Sequence, residues 1–173
     1  MDLKEFKSLI DLFFYQAGKQ NPQSAFLEWL NPKNKKKFTW GETSSNIYKL
    51  AKTLKASIAD GDRCLLVSEN RPEWLISDIA IMLANGITVP AYTTYTEKDY
   101  KYLIEDCQPS VIIVSNDEMH DKLKNIINER SFIRKVITFE KIQKVDNKNK
   151  YLDFNSITEN NLQESDKIKN SSL

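Results

Sequence analysis

Glycine, proline, cysteine and histidine are all scarce in this chain of 173 residues. Four glycines and five prolines exclude collagen-like and low-complexity chains. The glycines stand singly, at Gly18, Gly41, Gly61 and Gly86, each at an expected helix boundary. Neither GxGxxG nor GxxxxGK(S/T) is present, so no glycine-rich loop remains to cradle a phosphate. Two cysteines, Cys64 and Cys107, are too few and too far apart for a zinc or redox motif. With one histidine, His120, the chain is poor in the commonest catalytic base, and no metal site is expected. An excess of one charge is missing too. Twenty-five Lys and Arg against 24 Asp and Glu leave +1, whereas a nucleic-acid partner demands clustered basic charge. The longest apolar run, Leu75 to Ala84, is broken by Asp78 and falls short of a transmembrane segment. Met1-Asp2-Leu3-Lys4-Glu5 lacks the positive start of a secretory signal, and no small-residue cleavage site follows. These features lead to an expected cytoplasmic location with reduced thiols.

What is present reads as about one domain's worth of chain, 40% hydrophobic and 28% charged. Leu3, Phe6, Leu9, Ile10, Phe13 and Phe14 recur at helical spacing and predict a helix ending near Gly18. Ser24 to Leu30 and Lys36 to Trp40 predict a hairpin around the turn signal Asn31-Pro32. Thr39-Trp40-Gly41-Glu42 fits a capping box, opening a helix with Ile47, Leu50, Ala51, Leu54 and Ile58 on one face and stopping at Asp60-Gly61. The chain then alternates. Strands are expected at Arg63 to Ser68, Ile87 to Ala91, Val111 to Ser115 and Lys135 to Phe139, starting about 24 residues apart, as βαβ units require. Between them lie helices from Pro72 to Asn85 with Gly86 as C-cap, from Thr96 until Pro109, and around Leu123, Ile126 and Ile127. The fold class is therefore α/β: an N-terminal helix and β-hairpin, then a mostly parallel, doubly wound sheet with right-handed crossovers. Lys141 to Lys150 reads as a polar loop and Tyr151 to Ile157 as one last short element. The domain is expected over residues 1–157, with 158–173 a polar linker or cut end that buries too little to order itself.

Four constellations carry candidate chemistry. Ser115, Asp117 and His120 place a nucleophile, an acid and the one histidine close in sequence. Ser115-Asn116-Asp117 after a strand is also a helix N-cap, which would put His120 in an exposed first turn, and the cap explains these residues better. Lys33-Asn34-Lys35-Lys36-Lys37 could meet phosphate or an anionic membrane surface, but a hairpin turn accounts for solvated charge without either. Glu69-Asn70-Arg71-Pro72-Glu73-Trp74 leaves a strand at the edge where open α/β sheets bind ligands. Arg71 could offer its planar fork to a carboxylate or phosphate, while turn chemistry and a core Trp74 explain the same residues. Ala91-Tyr92-Thr93-Thr94-Tyr95-Thr96 leaves the next strand at that edge, with rings and hydroxyls suited either to a ligand mouth or to a strand end before a Thr96 cap.

Gly61-Asp62-Arg63, Val67-Ser68-Glu69-Asn70-Arg71-Pro72-Glu73-Trp74, Asp78-Ile79-Ala80 and Ile87-Thr88-Val89-Pro90-Ala91-Tyr92 together resemble the adenylate-forming acyl-CoA synthetases. Tyr102-Leu103-Ile104-Glu105-Asp106, Val111-Ile112-Ile113-Val114-Ser115 and the Thr39-Trp40-Gly41-Glu42 helix start continue the likeness in order. The wording "SENRPEW" and "VPAYTTYT" is most similar to the long-chain fatty-acid–CoA ligases, and the likeness runs from about Ala25 to Phe139. The resemblance implies ATP, Mg²⁺ and coenzyme A as cofactors of the full-length family and a fatty acid as substrate. ATP and the carboxylate give an acyl-adenylate and pyrophosphate; the coenzyme A thiol then displaces AMP. It also implies that the phosphate loop, the acidic metal motifs and the C-terminal catalytic lysine lie in a missing C-terminal part, the chain's expected partner. No catalytic residue and no tightly bound cofactor are therefore expected here. The segment Tyr92-Thr93-Thr94 matches one that borders the coenzyme A entrance in some relatives, where it is glycine-rich. One sheet face is expected to be incompletely covered. The competing reading is a stand-alone, non-catalytic α/β module that binds a partner or ligand near Asn70 and Tyr92.

Overall fold

The computed structural model describes residues 6–31, 35–142 and 147–159. Leu3, the Pro32 turn, Lys33, Asn34 and almost all of the predicted tail lie outside the described residues. The first helix, α1 (Leu9–Lys19), starts later than its apolar spacing predicts. Ser8 caps it by accepting a hydrogen bond from the Asp11 amide at 3.1 Å, and Phe6 packs edge-on against Tyr15 from outside the helix. β1 (Ala25–Trp29) and β2 (Lys36–Thr39) form the expected antiparallel hairpin. The predicted capping box is present at the start of α2 (Trp40–Lys55): Thr39 accepts from the Glu42 amide while the Glu42 carboxylate accepts from the Thr39 amide. Ile47, Leu50, Ala51 and Leu54 on this helix are fully buried.

Five strands build the main sheet: β3 (Arg63–Val67), β4 (Ile87–Ala91), β5 (Val111–Val114), β6 (Lys135–Thr138) and β7 (Tyr151–Asp153). All pairings are parallel, in the order β4-β3-β5-β6-β7. The first connection, through α3 (Pro72–Leu83), runs one way across the sheet; the next, through α4 (Glu97–Cys107), reverses. Right-handed crossovers then require the two helices to lie on opposite faces. The core divides accordingly. Cys64, Leu66, Val111, Ile113 and Ile137 pack with α2 and α3, while Leu65, Val67, Ile112, Val114 and Val136 pack with Tyr100 and Ile104 of α4 and with Leu123, Ile126 and Ile127. The last helical stretch before β6 is two short helices, α5 (Asp117–Asp121) and α6 (Lys124–Glu129), instead of one. A 3₁₀ turn at Lys148–Lys150 leads into β7, and α7 (Phe154–Glu159) seats Phe154 and Ile157 against the α2 side.

Two expectations need correction. Both faces of the sheet are covered where it is thickest, since every residue of β5 is buried. What lies open is the edge strand β4, with Ile87 and Pro90 exposed. The Ile87 amide donates to Asp62 O, toward β3, so the alternation of a ladder turns Pro90 outward. Proline has no N–H to offer there, which blunts the edge against a further strand. The left-handed residue that ends α3 is also displaced by one position, with Ala84 as the C-cap. Asn85 holds the left-handed position (φ 62), and Gly86 donates back to Ile81 O at 2.9 Å in a Schellman arrangement. Gly86 is needed for space: a Cβ would stand 2.9 Å from Ile58 Cδ1 and 3.0 Å from Ile81 Cγ2.

At the N-terminal ends of the strands, one Asp62 oxygen accepts from the Ala59 amide, the Ser110 hydroxyl and Arg134. The Ala59 amide leads, with Ser110, Arg134 and Arg63 adding, and together they hold this carboxyl below its ordinary value against a desolvation cost. A carboxylate of lowered pKa adds stability above the unfolded value of about 3.9 and loses it as the pH falls through the folded value. Asp62→Asn should therefore cost about 1–2 kcal/mol near neutrality. Urea titrations at several pH values should show the gap from the parent chain closing in acid. A gap constant down to pH 3 would refute the assignment.

Candidate functional site

The reversal between β3 and β5 marks the place where doubly wound sheets usually take a ligand, in the crevice beyond the strand ends. In this chain Arg71 occupies that place. Its side chain is fully buried, its Nε and one terminal nitrogen bond the two Glu73 oxygens at 2.9 and 3.1 Å, and the other terminal nitrogen bonds Glu140 at 2.9 Å and Glu69 at 3.2 Å. Glu69 follows β3 and Glu140 follows β6, so the guanidinium bridges across the end of β5. The hairpin closes over it. Trp29 of β1 stacks 4.4 Å from the guanidinium carbon, Phe139 lies 5.4 Å away, and Lys36 of β2 bonds Glu73 at 2.7 Å. Burial opposes the charge on Arg71, but Glu73, Glu140 and Glu69 outweigh it and raise its pKa. Burial likewise opposes the Glu73 carboxylate, and Arg71 with Lys36 holds its pKa below the ordinary value. The planar fork thus engages the chain's own carboxylates and has no place for an external anion. Lys36, read as a solvated turn charge, is one wall of this cluster; Lys37 pairs with Glu28 on the surface.

Beside the cluster opens a cleft of about 530 Å³, lined by Ser68, Glu69, Asn70, Trp74, Pro90, Ala91, Tyr92 and Thr93. Two segments expected to share the strand edge do meet there: Asn70 with Tyr92 and Thr93. Thr94 is exposed outside the lining, and Trp74 does both things expected of it: half-buried, it packs against the core cluster and walls the cleft. Tyr92 is 72% exposed, and its ring meets Tyr95 edge-on, which in turn meets the buried Tyr100. Tyr100 donates its hydroxyl to Tyr92 O at 2.7 Å, and Lys122 donates to Thr93 O at 2.8 Å. The wall of the cleft thus has an aromatic, hydroxyl-bearing side and one acid, Glu69.

The Ser115–Asp117–His120 reading does not survive. Asn116 caps α5 by accepting from the Met119 amide, as the cap reading requires. The Ser115 hydroxyl is fully buried and makes no hydrogen bond, so no base activates it. His120 is not in an exposed turn: it is 3% exposed, with Nε2 at 2.8 Å from the Tyr151 hydroxyl of β7. The added strand β7 covers the helix face that a free terminus would have left open. Burial also pushes the Cys64 thiol up to about 12, so it stays protonated and inert near neutrality. Among the described residues no cluster of His, Cys, Asp and Glu could hold a metal, and no helix is long and apolar enough to cross a membrane. Glu140 and Lys122 escaped the sequence reading; the only signal for Glu140 was its place just after a strand, matching that of Glu69.

The parallel sheet preceded by a hairpin is a fold shared with solved ligases. Residues 13–171 match the family of AMP-binding enzymes, and the chain belongs to that family. It is 32% identical over 104 residues to the human mitochondrial acyl-coenzyme A synthetase ACSM5, covering 58% of this chain and 18% of that protein. It is 35% identical over 79 residues to a long-chain-fatty-acid–CoA ligase of Bacillus subtilis, covering 45% and 14%. The anthranilate CoA ligase AuaEII, solved with anthranoyl-AMP, superposes with a TM-score of 0.76 at 18% identity, over 91% of this chain and 29% of that one. The acetoacetyl-CoA synthetase of Streptomyces lividans gives 0.76 at 18% identity, over 89% and 25%. The chain therefore spans only about a fifth of the first of these curated relatives and less of the second.

Removing one member of a buried ion pair strands the other, at a cost of about 3–5 kcal/mol, whereas removing both often costs little. Arg71→Met should destabilise the chain by that amount in urea unfolding, a large part of a small domain's stability. Adding Glu73→Leu should recover most of it. A double variant no better than the single one would show that the pair itself, rather than its neutralisation, holds this edge together.

Proposed function

We propose that this chain is the N-terminal portion of an ATP-dependent fatty-acid–CoA ligase acting on long-chain acids. The reading rests on the family match of residues 13–171. Its long-chain element is supported by the SENRPEW segment and by similarity to long-chain-fatty-acid–CoA ligases, among them the Bacillus subtilis enzyme and ACSBG1 of rat. In this reading the complete ligase joins a fatty carboxylate to AMP with release of pyrophosphate, then transfers the acyl group to the coenzyme A thiol. Tyr92, Thr93 and Thr94 form one border of the coenzyme A entrance. The cleft that Tyr92 and Thr93 share with Asn70 and Trp74 has the shape for it: a pantetheine arm is long, thin and amide-bearing, and rings with hydroxyls suit such a chain.

The ATP phosphates and Mg²⁺ are assigned to the rest of the ligase. Stabilising charge in phosphoryl and adenylyl transfer takes preorganised backbone donors, cations and metal, each worth orders of magnitude in rate. This chain has no glycine-rich cradle, and its switch-point arginine is committed to Glu73 and Glu140. The cleft also favours a second reading, because residues of this chain supply its walls: a non-catalytic α/β module that binds a ligand or partner near Asn70 and Tyr92.

The purified 173-residue chain should release no pyrophosphate from ATP, Mg²⁺ and palmitate, and form no acyl-CoA when coenzyme A is added. The reading frame downstream should encode a Ser/Thr/Gly-rich phosphate loop, and the longer polypeptide should turn over palmitate in preference to octanoate. Turnover by the short chain would misplace the chemistry. A stop codon with no phosphate loop beyond it would select the binding module.

A further inference from the structure

The rim of the cleft is a short connection whose carbonyls are held from behind. Between β4 and α4 the chain passes through Tyr92, Thr93, Thr94 and Tyr95. Tyr92 O accepts the Tyr100 hydroxyl and, at 3.2 Å, the Tyr95 amide. Thr93 O accepts Lys122 Nζ at 2.8 Å, from the C-terminal end of α5. The Lys122 side chain is 29% exposed, so this bond is partly shielded from water. Glu118, one turn back and largely exposed, pairs with the same nitrogen at 3.7 Å, a long ion pair that leaves the shorter bond to Thr93 O. An ammonium carries three donors, and a charged donor on a carbonyl is about twice as strong as a neutral one. The cleft lining, by contrast, contains Glu69 and no lysine or arginine.

We propose that Lys122 is the positioning residue of this rim: its ammonium, ion-paired to Glu118 on its other side, clamps the Thr93 carbonyl, holds Tyr92 and Thr93 against the cleft, and sets a cation beside an entrance whose lining has none. The ligand class that would use this charge, a phosphate-bearing thiol carrier, rests on the ligase reading above; the clamp itself does not. The two donors divide the work by chemistry. Tyr100 is buried and neutral, with burial pushing its hydroxyl up to about 12, so it fixes Tyr92 O without adding charge. Lys122 fixes the next carbonyl and keeps N–H donors at the edge of solvent.

Three versions of the ¹⁵N-labelled chain separate these roles: the parent, Lys122→Met and Lys122→Arg. Coenzyme A is the probe, followed at the Thr93 and Thr94 amides and the Trp74 indole, at two ionic strengths. In parallel, hydrogen exchange of the Tyr95 amide, which closes the turn onto Tyr92 O, is measured without ligand. Lys122→Met should bind coenzyme A about tenfold more weakly, the loss expected for one charge-assisted contact. Its binding should also depend less on salt, its Tyr95 amide should exchange faster, and its melting temperature should stay within experimental spread of the parent. Lys122→Arg should restore both affinity and protection. Equal affinity and equal exchange in Lys122→Met and the parent would overturn the proposal. If the parent does not respond to coenzyme A, the entrance reading fails, and the exchange comparison alone then decides the clamp: faster exchange in Lys122→Met sustains it and unchanged exchange overturns it.

Discussion

Arg71 carries a permanent charge on a side chain with no exposed surface, and its neighbours are arranged to compensate that charge. Moving a guanidinium out of water costs several kcal/mol unless carboxylates and hydrogen bonds surround it. Glu73 supplies a bidentate partner from the same helix turn, while Glu69 and Glu140 arrive from the ends of two strands that are not neighbours. Glu73 is itself fully buried and needs Lys36, which only the hairpin can bring. The hairpin's position over the sheet edge follows from this requirement, helped by the Trp29 ring lying on the guanidinium. One buried charge thus ties together the hairpin, the start of α3 and the ends of β3 and β6.

The same interaction governs where the sheet end stays open. A sheet of order β4-β3-β5-β6-β7 would ordinarily leave a ligand crevice between β3 and β5. With Arg71 bridging that place, the open volume lies one strand over, between the ends of β3 and β4, with Trp74 and Tyr92 as walls. β4 is the edge strand, and Pro90 keeps that edge from accepting another strand, so the cleft keeps a free side. In an AMP-binding enzyme, of which this chain spans a minor part, a rigid strand edge next to an open cleft is a surface on which further chain or ligand can be organised.

Much of the fold was legible because its signals are local. The Thr39 capping box, the Thr96 cap, Pro72 at a helix start and the regular return of apolar strands depend on residues within a few positions of one another. Those are interactions that a linear reading can check. The parallel class of the sheet followed from the strand spacing and the helices between the strands, and the likeness to acyl-CoA synthetases rested on segments spread over strands and helices, of which those ending β3 and β4 meet at the cleft. The left-handed residue after α3 was misassigned to Gly86 because the reason for that glycine, its closeness to Ile58 and Ile81, is a tertiary contact.

The sequence by itself determined the element types, their order and the absence of any phosphate-cradling loop, since these depend on periodicity, capping and composition. Only the tertiary structure decided what each polar side chain does. Lys36 meets Glu73 across 37 positions, Arg71 meets Glu140 across 69, and Lys122 meets Thr93 across 29. His120 is buried because β7, 31 positions on, brings Tyr151 over it. A charged or ring-bearing residue looks the same in the chain whether solvent or a distant strand will surround it. Its environment, and with it its protonation and role, is set when packing closes those long loops.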